Sequence, residues 1–226
     1  MARLLLIGNS RWHWAERRGE GLHCWHTPVS EGGEPDDLEA WATVGALPSS
    51  GGFGSSRRLL LTDVPLQGVP PWLGIDRALV GWGAWQRQRQ AVLVADAGTA
   101  LSLTRVSADG CFEGGLISAG VALQLRALAG ATAQLPELTG GALGWVQAAE
   151  AWPSATPEAM AEGCRRAVAA AIAQAAAATD GAQLWLTGGD AELLLPLLRE
   201  QRIHTESAPD LALEAMAALP VVGWRR

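Results

Sequence analysis

At 226 residues, with 49% apolar and 18% charged residues and a net charge of −6, the chain has the profile of a soluble globular protein that can bury a core without staples. It carries no basic stripe to attract nucleic acid or anionic lipid, so neither a nucleic-acid nor a membrane partner is expected. All 17 basic residues are arginine, which excludes a P-loop lysine, a Schiff-base lysine and a kinase-type strand lysine, and leaves phosphate binding to backbone amides, hydroxyls, arginine or metal.

In chain order, Arg3-Leu4-Leu5-Leu6-Ile7 is a short apolar run stopped by Gly8-Asn9-Ser10, the pattern of a buried strand entering a polar turn. Trp12-His13-Trp14 and Leu22-His23-Cys24-Trp25-His26 alternate as half-buried strands do, so a three-strand meander is expected. Glu31 to Asp37 is turn-rich, and Leu38 to Val44 is read as a short helix. Arg58-Leu59-Leu60-Leu61-Thr62 looks like another buried strand, parallel given the intervening helix. A proline-punctuated loop from Pro65 to Pro71 precedes a helical segment around Arg77 to Arg89. The opening pattern then recurs, with the strand Ala91 to Ala95 running into Asp96-Ala97-Gly98-Thr99-Ala100. Leu101 to Val106 and Cys111 to Ile117 read as antiparallel strands joined through Ala108-Asp109-Gly110, whose Asp-Gly is a hairpin signal. Helices follow at about Val121 to Ala129, Glu158 to Ala178, Ala191 to Gln201 and Leu211 to Ala218. A strand at Gln183 to Leu186 ends in Thr187-Gly188-Gly189-Asp190.

The three cysteines, Cys24, Cys111 and Cys164, are odd in number and lack metal-ligand spacing, so free buried thiols in a reducing compartment are expected. Leu4 to Ile7 is too short for a signal-peptide core, and the alanine-rich run from Ala167 to Ala178 is too short to span a bilayer; a cytoplasmic location is expected. His23 and His26 flank Cys24, but His-x-x-His on a strand places the rings on opposite faces, which argues against a metal site formed by those two.

Chemistry gathers at the strand ends. Gly8-Asn9-Ser10, Gly98-Thr99 and Thr187-Gly188-Gly189 each set glycine beside a hydroxyl or carboxamide residue. Glycine lets the backbone approach a ligand closely, and the neighbouring N–H groups can cradle phosphate without lysine. One such turn is usually structural. Several of them, two at matching places in two meanders, point to a nucleotide site. Gly74-Ile75-Asp76-Arg77 is open to two readings: a surface ion pair at a helix start, or a carboxylate base beside an arginine fork.

These blocks, with Gly114-Gly115-Leu116-Ile117 followed by Gly120, and with Thr132-Ala133-Gln134-Leu135-Pro136, stand in the order of the motifs of type III pantothenate kinases. The chain resembles that family, within the acetate and sugar kinase, Hsp70 and actin superfamily, over most of its length. The resemblance implies an α/β fold of two ribonuclease H-like lobes, residues 1–89 and 90–226. Each lobe would have a mixed sheet (antiparallel meander plus parallel strands) flanked by helices, with a nucleotide cleft between the lobes and the last helix able to pack back on the first. It implies ATP-dependent phosphorylation of pantothenate by a homodimer. Asp76 would be the catalytic base, and Gly74, Ile75, Asp76, Arg77 and Thr156 would bind substrate. Gly8, Asn9, Ser10, Gly98, Thr99, Gly188 and Gly189 would bind ATP, and Asp96 would hold Mg²⁺. A monovalent cation, K⁺ or NH₄⁺, belongs to the same expectation.

The chain departs from the family pattern at two carboxylates. The first motif usually begins with aspartate where this chain has Leu6, and the aspartate associated with the monovalent cation is here Thr104. Trp72 lies where the family often has an aromatic pocket residue. Two further readings therefore stand beside the kinase: a non-catalytic nucleotide-binding regulator of the same fold, and a kinase for another small hydroxylated acid.

Overall fold

The computed structural model describes residues 2–19, 21–29, 37–44, 53, 56–138 and 151–223. The chain divides into two compact units: one formed by Met1–Arg89, Ala108–Glu113 and Asp210–Arg226, the other by Gln90–Ser107 and Gly114–Pro209.

The first unit is built on a sheet of β1 (Arg3–Ile7), β2 (Arg11–Arg18), β3 (Gly21–Pro28), β4 (Leu38–Thr43) and β5 (Arg57–Arg58), in the order β3-β2-β1-β4-β5. β1, β2 and β3 form the antiparallel meander read from the alternation, while β4 runs parallel to β1 and β5 parallel to β4. Side chains alternate between faces. Leu5, Ile7, Trp12, Trp14, Trp41 and Phe53 make an aromatic core cluster, with Trp25 stacked on Trp14 at 6.0 Å between ring centroids. The helices α1 (Ile75–Gln88) and α5 (Leu211–Ala218) pack on each other, α5 also lies against β1 and β2, and an Arg87–Glu214 ion pair ties the two helices.

Two local readings are corrected here. Leu38 to Val44 is not a helix: Ala40, Trp41 and Ala42 are all buried in a strand hydrogen-bonded beside β1, and that pairing overrides the helix propensity of leucine, glutamate and alanine. The strand expected at Arg58 to Thr62 is confined to Arg57–Arg58. Asp63 ends it, accepting a hydrogen bond from the Leu60 amide at 2.8 Å and closing the 3₁₀ turn Leu61–Asp63. Of the turn-rich segment Glu31 to Asp37, residues 31–36 lie outside the described residues.

The second unit is built on β6 (Val92–Ala97), β7 (Ala100–Val106), β8 (Phe112–Ala119), β9 (Gln183–Thr187) and β10 (Thr205–Ser207), in the order β10-β9-β6-β7-β8. β6 is antiparallel to β7 and parallel to β9, which is parallel to β10, a strand the sequence reading did not include. The helices are α2 (Val121–Ala131), α3 (Thr156–Ala177) and α4 (Ala191–Glu200), with α3 packed against both others. Leu93, Leu101, Val168, Ile172, Leu186, Leu194 and Leu198 lie at the centre of the core. Among the described residues no helix is long and apolar enough to cross a membrane. None of the three cysteines is in a disulfide, and only Cys164 is buried; Cys24 and Cys111 are half-buried.

One charged cluster sits inside this unit. Glu162 and Arg165 of α3 are both buried, and the Glu162 carboxylate accepts from Arg165 at 2.5 Å and from Arg166 at 2.6 Å. Removing the acid strands a buried guanidinium, the costly way to break a buried pair. Glu162→Ala is expected to lower unfolding free energy by about 3–5 kcal/mol in urea titrations; a loss below about 1 kcal/mol, the value of an exposed pair, would show that water already reaches Arg165.

Candidate functional site

The motif residues fall into two groups, one in each unit. In the first unit β1 ends at Gly8, whose amide donates to the Arg11 carbonyl at 3.0 Å, and Asn9 and Ser10 form the exposed tip of that turn. Leu6 is 5% exposed, with His13 and Ala42 as its cross-strand neighbours, so the place of the family's first carboxylate is filled by core.

At the start of α1, Gly74 is the N-cap residue, with extended backbone and no side chain to offer the helix. A Cβ on Gly74 would collide with Asp76 Oδ1, so only glycine lets the Asp76 carboxylate fold back over the helix start. Asp76 Oδ1 is buried and has no hydrogen-bond partner among the described residues. Burial raises the Asp76 pKa, opposed by backbone hydrogen bonds from Arg77 and Asp76 itself and by the Arg77 charge. The Arg77 guanidinium lies over the Phe112 ring at 5.7 Å. Ile75 is buried in the core, so only its backbone is available to a ligand, and Trp72 is exposed.

In the second unit three turns meet at the end of β6. Asp96 lies near the end of this central strand, and Gly98 closes the turn into β7, its amide donating to the Ala100 carbonyl at 3.0 Å. The Gly120 amide donates to the Thr99 carbonyl at 3.1 Å, and a Cβ on Gly120 would overlap the Gly98 carbonyl oxygen. Gly188 follows β9 with φ +92°; a Cβ there would lie 2.5 Å from Asp96 Oδ1 and closer still to the Ala97 carbonyl oxygen. The Asp190 amide donates to Ala97 at 2.9 Å, fixing the start of α4. Gly120 is likewise the N-cap of α2. The N-termini of α2 and α4, Gly98-Thr99 and the Asp96 carboxylate thus share one end of the sheet. This arrangement favours phosphate through amide donors and helix dipoles, and a hard cation through a carboxylate oxygen.

Thr156 is the exposed first residue of α3, and Thr104 is fully buried in β7 opposite Val94. Thr132 ends α2, its hydroxyl donating to the Leu128 carbonyl at 2.8 Å. A cavity of about 840 Å³ in the first unit is lined by Arg17, Cys24, Arg87, Asp210 and Glu214 among others, and contains none of the motif residues. Asp190, read in the sequence as the end of the Thr187-Gly188-Gly189-Asp190 block before a helix, is the N-cap of α4. His13, given no role in the sequence, is set opposite His26 by the pairing of β2 with β3.

The family model for type III pantothenate kinase matches residues 64–178. A type III pantothenate kinase from Synechococcus sp. (strain JA-3-3Ab) is 35% identical over 225 residues, covering 94% of this chain and 89% of that protein. One from Thermosynechococcus vestitus is 46% identical over 139 residues, covering 58% of this chain and 55% of that protein. Among solved structures, a Campylobacter jejuni protein described as a Baf family transcriptional activator superposes with a TM-score of 0.67 at 19% identity, covering 96% of each chain, a likeness of fold.

Gly188→Ala is expected to strain the end of β6 whatever its neighbours do, because φ +92° suits glycine alone and the Ala97 carbonyl is backbone that cannot swing away. We expect about 1–3 kcal/mol lost in thermal unfolding, together with weakened nucleotide binding by calorimetry. Unchanged stability and affinity would show that the turn adapts.

Proposed function

The chain belongs to the type III pantothenate kinase family, and on that premise we propose that it transfers the γ-phosphoryl group of ATP to the primary hydroxyl of pantothenate, giving 4′-phosphopantothenate, the first step towards coenzyme A. The observation that carries the reading is Asp76, a half-buried side chain at a helix start whose buried Oδ1 has no hydrogen-bond partner among the described residues and lies over Gly74.

In this mechanism the acceptor hydroxyl donates to Asp76 Oδ1. As the hydroxyl oxygen bonds to the γ-phosphorus, its proton passes to Asp76 and the bond from phosphorus to the ADP oxygen breaks. Arg77, a planar fork beside the base, pairs with the pantothenate carboxylate, and the Gly74 and Ile75 backbone lines the same place. Gly8, Asn9 and Ser10 supply amide and side-chain donors to the phosphates. In the second unit Thr99 and the amides of Gly98, Gly188 and Gly189 offer phosphate donors, and two helix N-termini add favourable dipoles. Gly188 leaves no side chain over Asp96, whose hard carboxylate oxygens would hold Mg²⁺. When bound, Mg²⁺ supplies neutralisation of the phosphate charge.

We further read the protein as a cytoplasmic homodimer. The exposed apolar side chains Leu116 and Ile117 on β8, 64% and 65% exposed, and Leu123 on α2 are the surface that supports pairing. Thr104 is fully buried and offers K⁺ or NH₄⁺ no carboxylate, so we expect the same rate in Na⁺, K⁺ and NH₄⁺ buffers. The apolar burial of Leu6 favours the regulator reading in one respect, the loss of a family carboxylate, and turnover decides against or for it.

The test is a coupled assay of ADP release with ATP and Mg²⁺, with and without pantothenate. We expect pantothenate-dependent release in the wild type and loss of about 10²-fold or more in Asp76→Asn with ATP affinity kept. The raised Asp76 pKa places the acid limb of the rate profile above the ordinary aspartate range. The folded state binds the Asp76 proton more tightly than the unfolded chain. Stability from this group is therefore present when it is protonated and declines as pH rises through the ordinary aspartate range towards the raised value, and Asp76→Asn should unfold no more easily than wild type at pH 7. ADP release independent of pantothenate would reassign the acceptor, and no turnover with ATP still bound would leave the regulator.

A further inference from the structure

His13 of β2 and His26 of β3 are direct cross-strand partners, and their Nδ1 atoms stand 3.0 Å apart, with ring centroids at 4.8 Å and ring planes at 74°. One Nδ1 donates and the other accepts, so a single proton lies between two ring nitrogens. His13 is fixed from its other side: its Nε2 would lie 3.2 Å from a Cβ on Gly8, and its partner on β1 is the buried Leu6. His23 belongs to the opposite face of β3, where its ring stacks near Trp25 at 5.6 Å.

Two nitrogens ligating one tetrahedral ion at Zn–N distances of 2.0–2.1 Å are about 3.3 Å apart, so the histidine pair has nearly that spacing already. We propose that His13 and His26 form a two-histidine site for a divalent transition-metal ion of the zinc or nickel class. The ion binds through both Nδ1 atoms and replaces the shared proton, which moves to a ring Nε2 through solvent so that both imidazoles stay neutral. Water fills the remaining positions, because among the described residues no group of three or more His, Cys, Asp or Glu is arranged to hold a metal.

Two formal charges among the described residues act on the pair: Arg11, which opposes a cation, and Asp210 at the N-cap of α5, which attracts one. Imidazole nitrogen selects zinc or nickel over Mg²⁺. The site is therefore chemically separate from the oxygen donors of Asp96, and its existence does not depend on phosphoryl transfer.

The experiment titrates the full-length protein, stripped with EDTA, with Zn²⁺ by calorimetry and with Ni²⁺ by quenching of tryptophan fluorescence, since Trp12, Trp14 and Trp25 occupy neighbouring positions on the two strands. We expect one saturable equivalent in the wild type, in His23→Ala and in Cys24→Ser. We expect at least tenfold weaker binding in His26→Ala and in His26→Gln, which keeps a polar side chain beside His13 but adds no imidazole. Circular dichroism verifies folding of each variant. Wild-type affinity in a folded His26 variant, loss of binding in His23→Ala, or absence of a saturable equivalent in the wild type would each overturn the site.

Discussion

The candidate phosphate site depends on a close approach between backbones at the end of β6. Gly188 lies against Ala97 and Asp96, and Gly120 lies against Gly98, both too near for any side chain. Hydrogen bonds from Gly120 to Thr99 and from Asp190 to Ala97 then lock the starts of α2 and α4 to the same strand. Two helix dipoles and several amides consequently point at one end of the sheet, where Asp96 also lies. The apolar contacts of Leu93, Val168, Ile172 and Leu186 behind the sheet supply the rigidity that keeps these turns in place.

The first unit solves a different problem, keeping a carboxylate half-desolvated and still available. Gly74 removes the steric obstacle and the helix start supplies amides, yet Asp76 Oδ1 remains without a partner. An unsatisfied buried oxygen costs on the order of 1–3 kcal/mol, more when charged, so a fold retains it where a ligand completes it. The same burial that raises the Asp76 pKa makes it a stronger proton acceptor than an exposed aspartate. Leu6 shows the opposite choice, an apolar side chain between His13 and Ala42 in place of a second carboxylate.

Where local pattern and tertiary environment agree, the fold is legible in the residues themselves. The alternation of Trp12-His13-Trp14 marks β2, the Asp-Gly at 109–110 falls between β7 and β8, and the recurring strand-glycine layout marks the ends of β1, β6 and β9. The failures have tertiary causes. Leu-Glu-Ala-Trp-Ala-Thr-Val carries helix-forming residues, and only the exposed edge of β1 makes it a strand. β10 is three residues long, too short for any periodicity. The motif residues could be located from glycine and hydroxyl spacing, but neither the orphaned oxygen of Asp76 nor the His13–His26 contact could, because one is a fact of burial and the other of hairpin register.

A chain with no lysine must meet phosphate charge differently from a P-loop protein. Arginine is the obvious substitute, yet the arginine nearest the motif chemistry, Arg77, lies beside the proposed base and over Phe112, a position suited to a substrate carboxylate. In the proposed mechanism, phosphate recognition therefore rests on main-chain amides together with the side chains of Asn9, Ser10 and Thr99. Small changes in the spacing of the turns at the end of β6 would therefore disturb the proposed phosphate donors directly. At Gly120 and Gly188 an added carbon would meet backbone, and at Gly74 it would meet the Asp76 carboxylate, which would have to turn away.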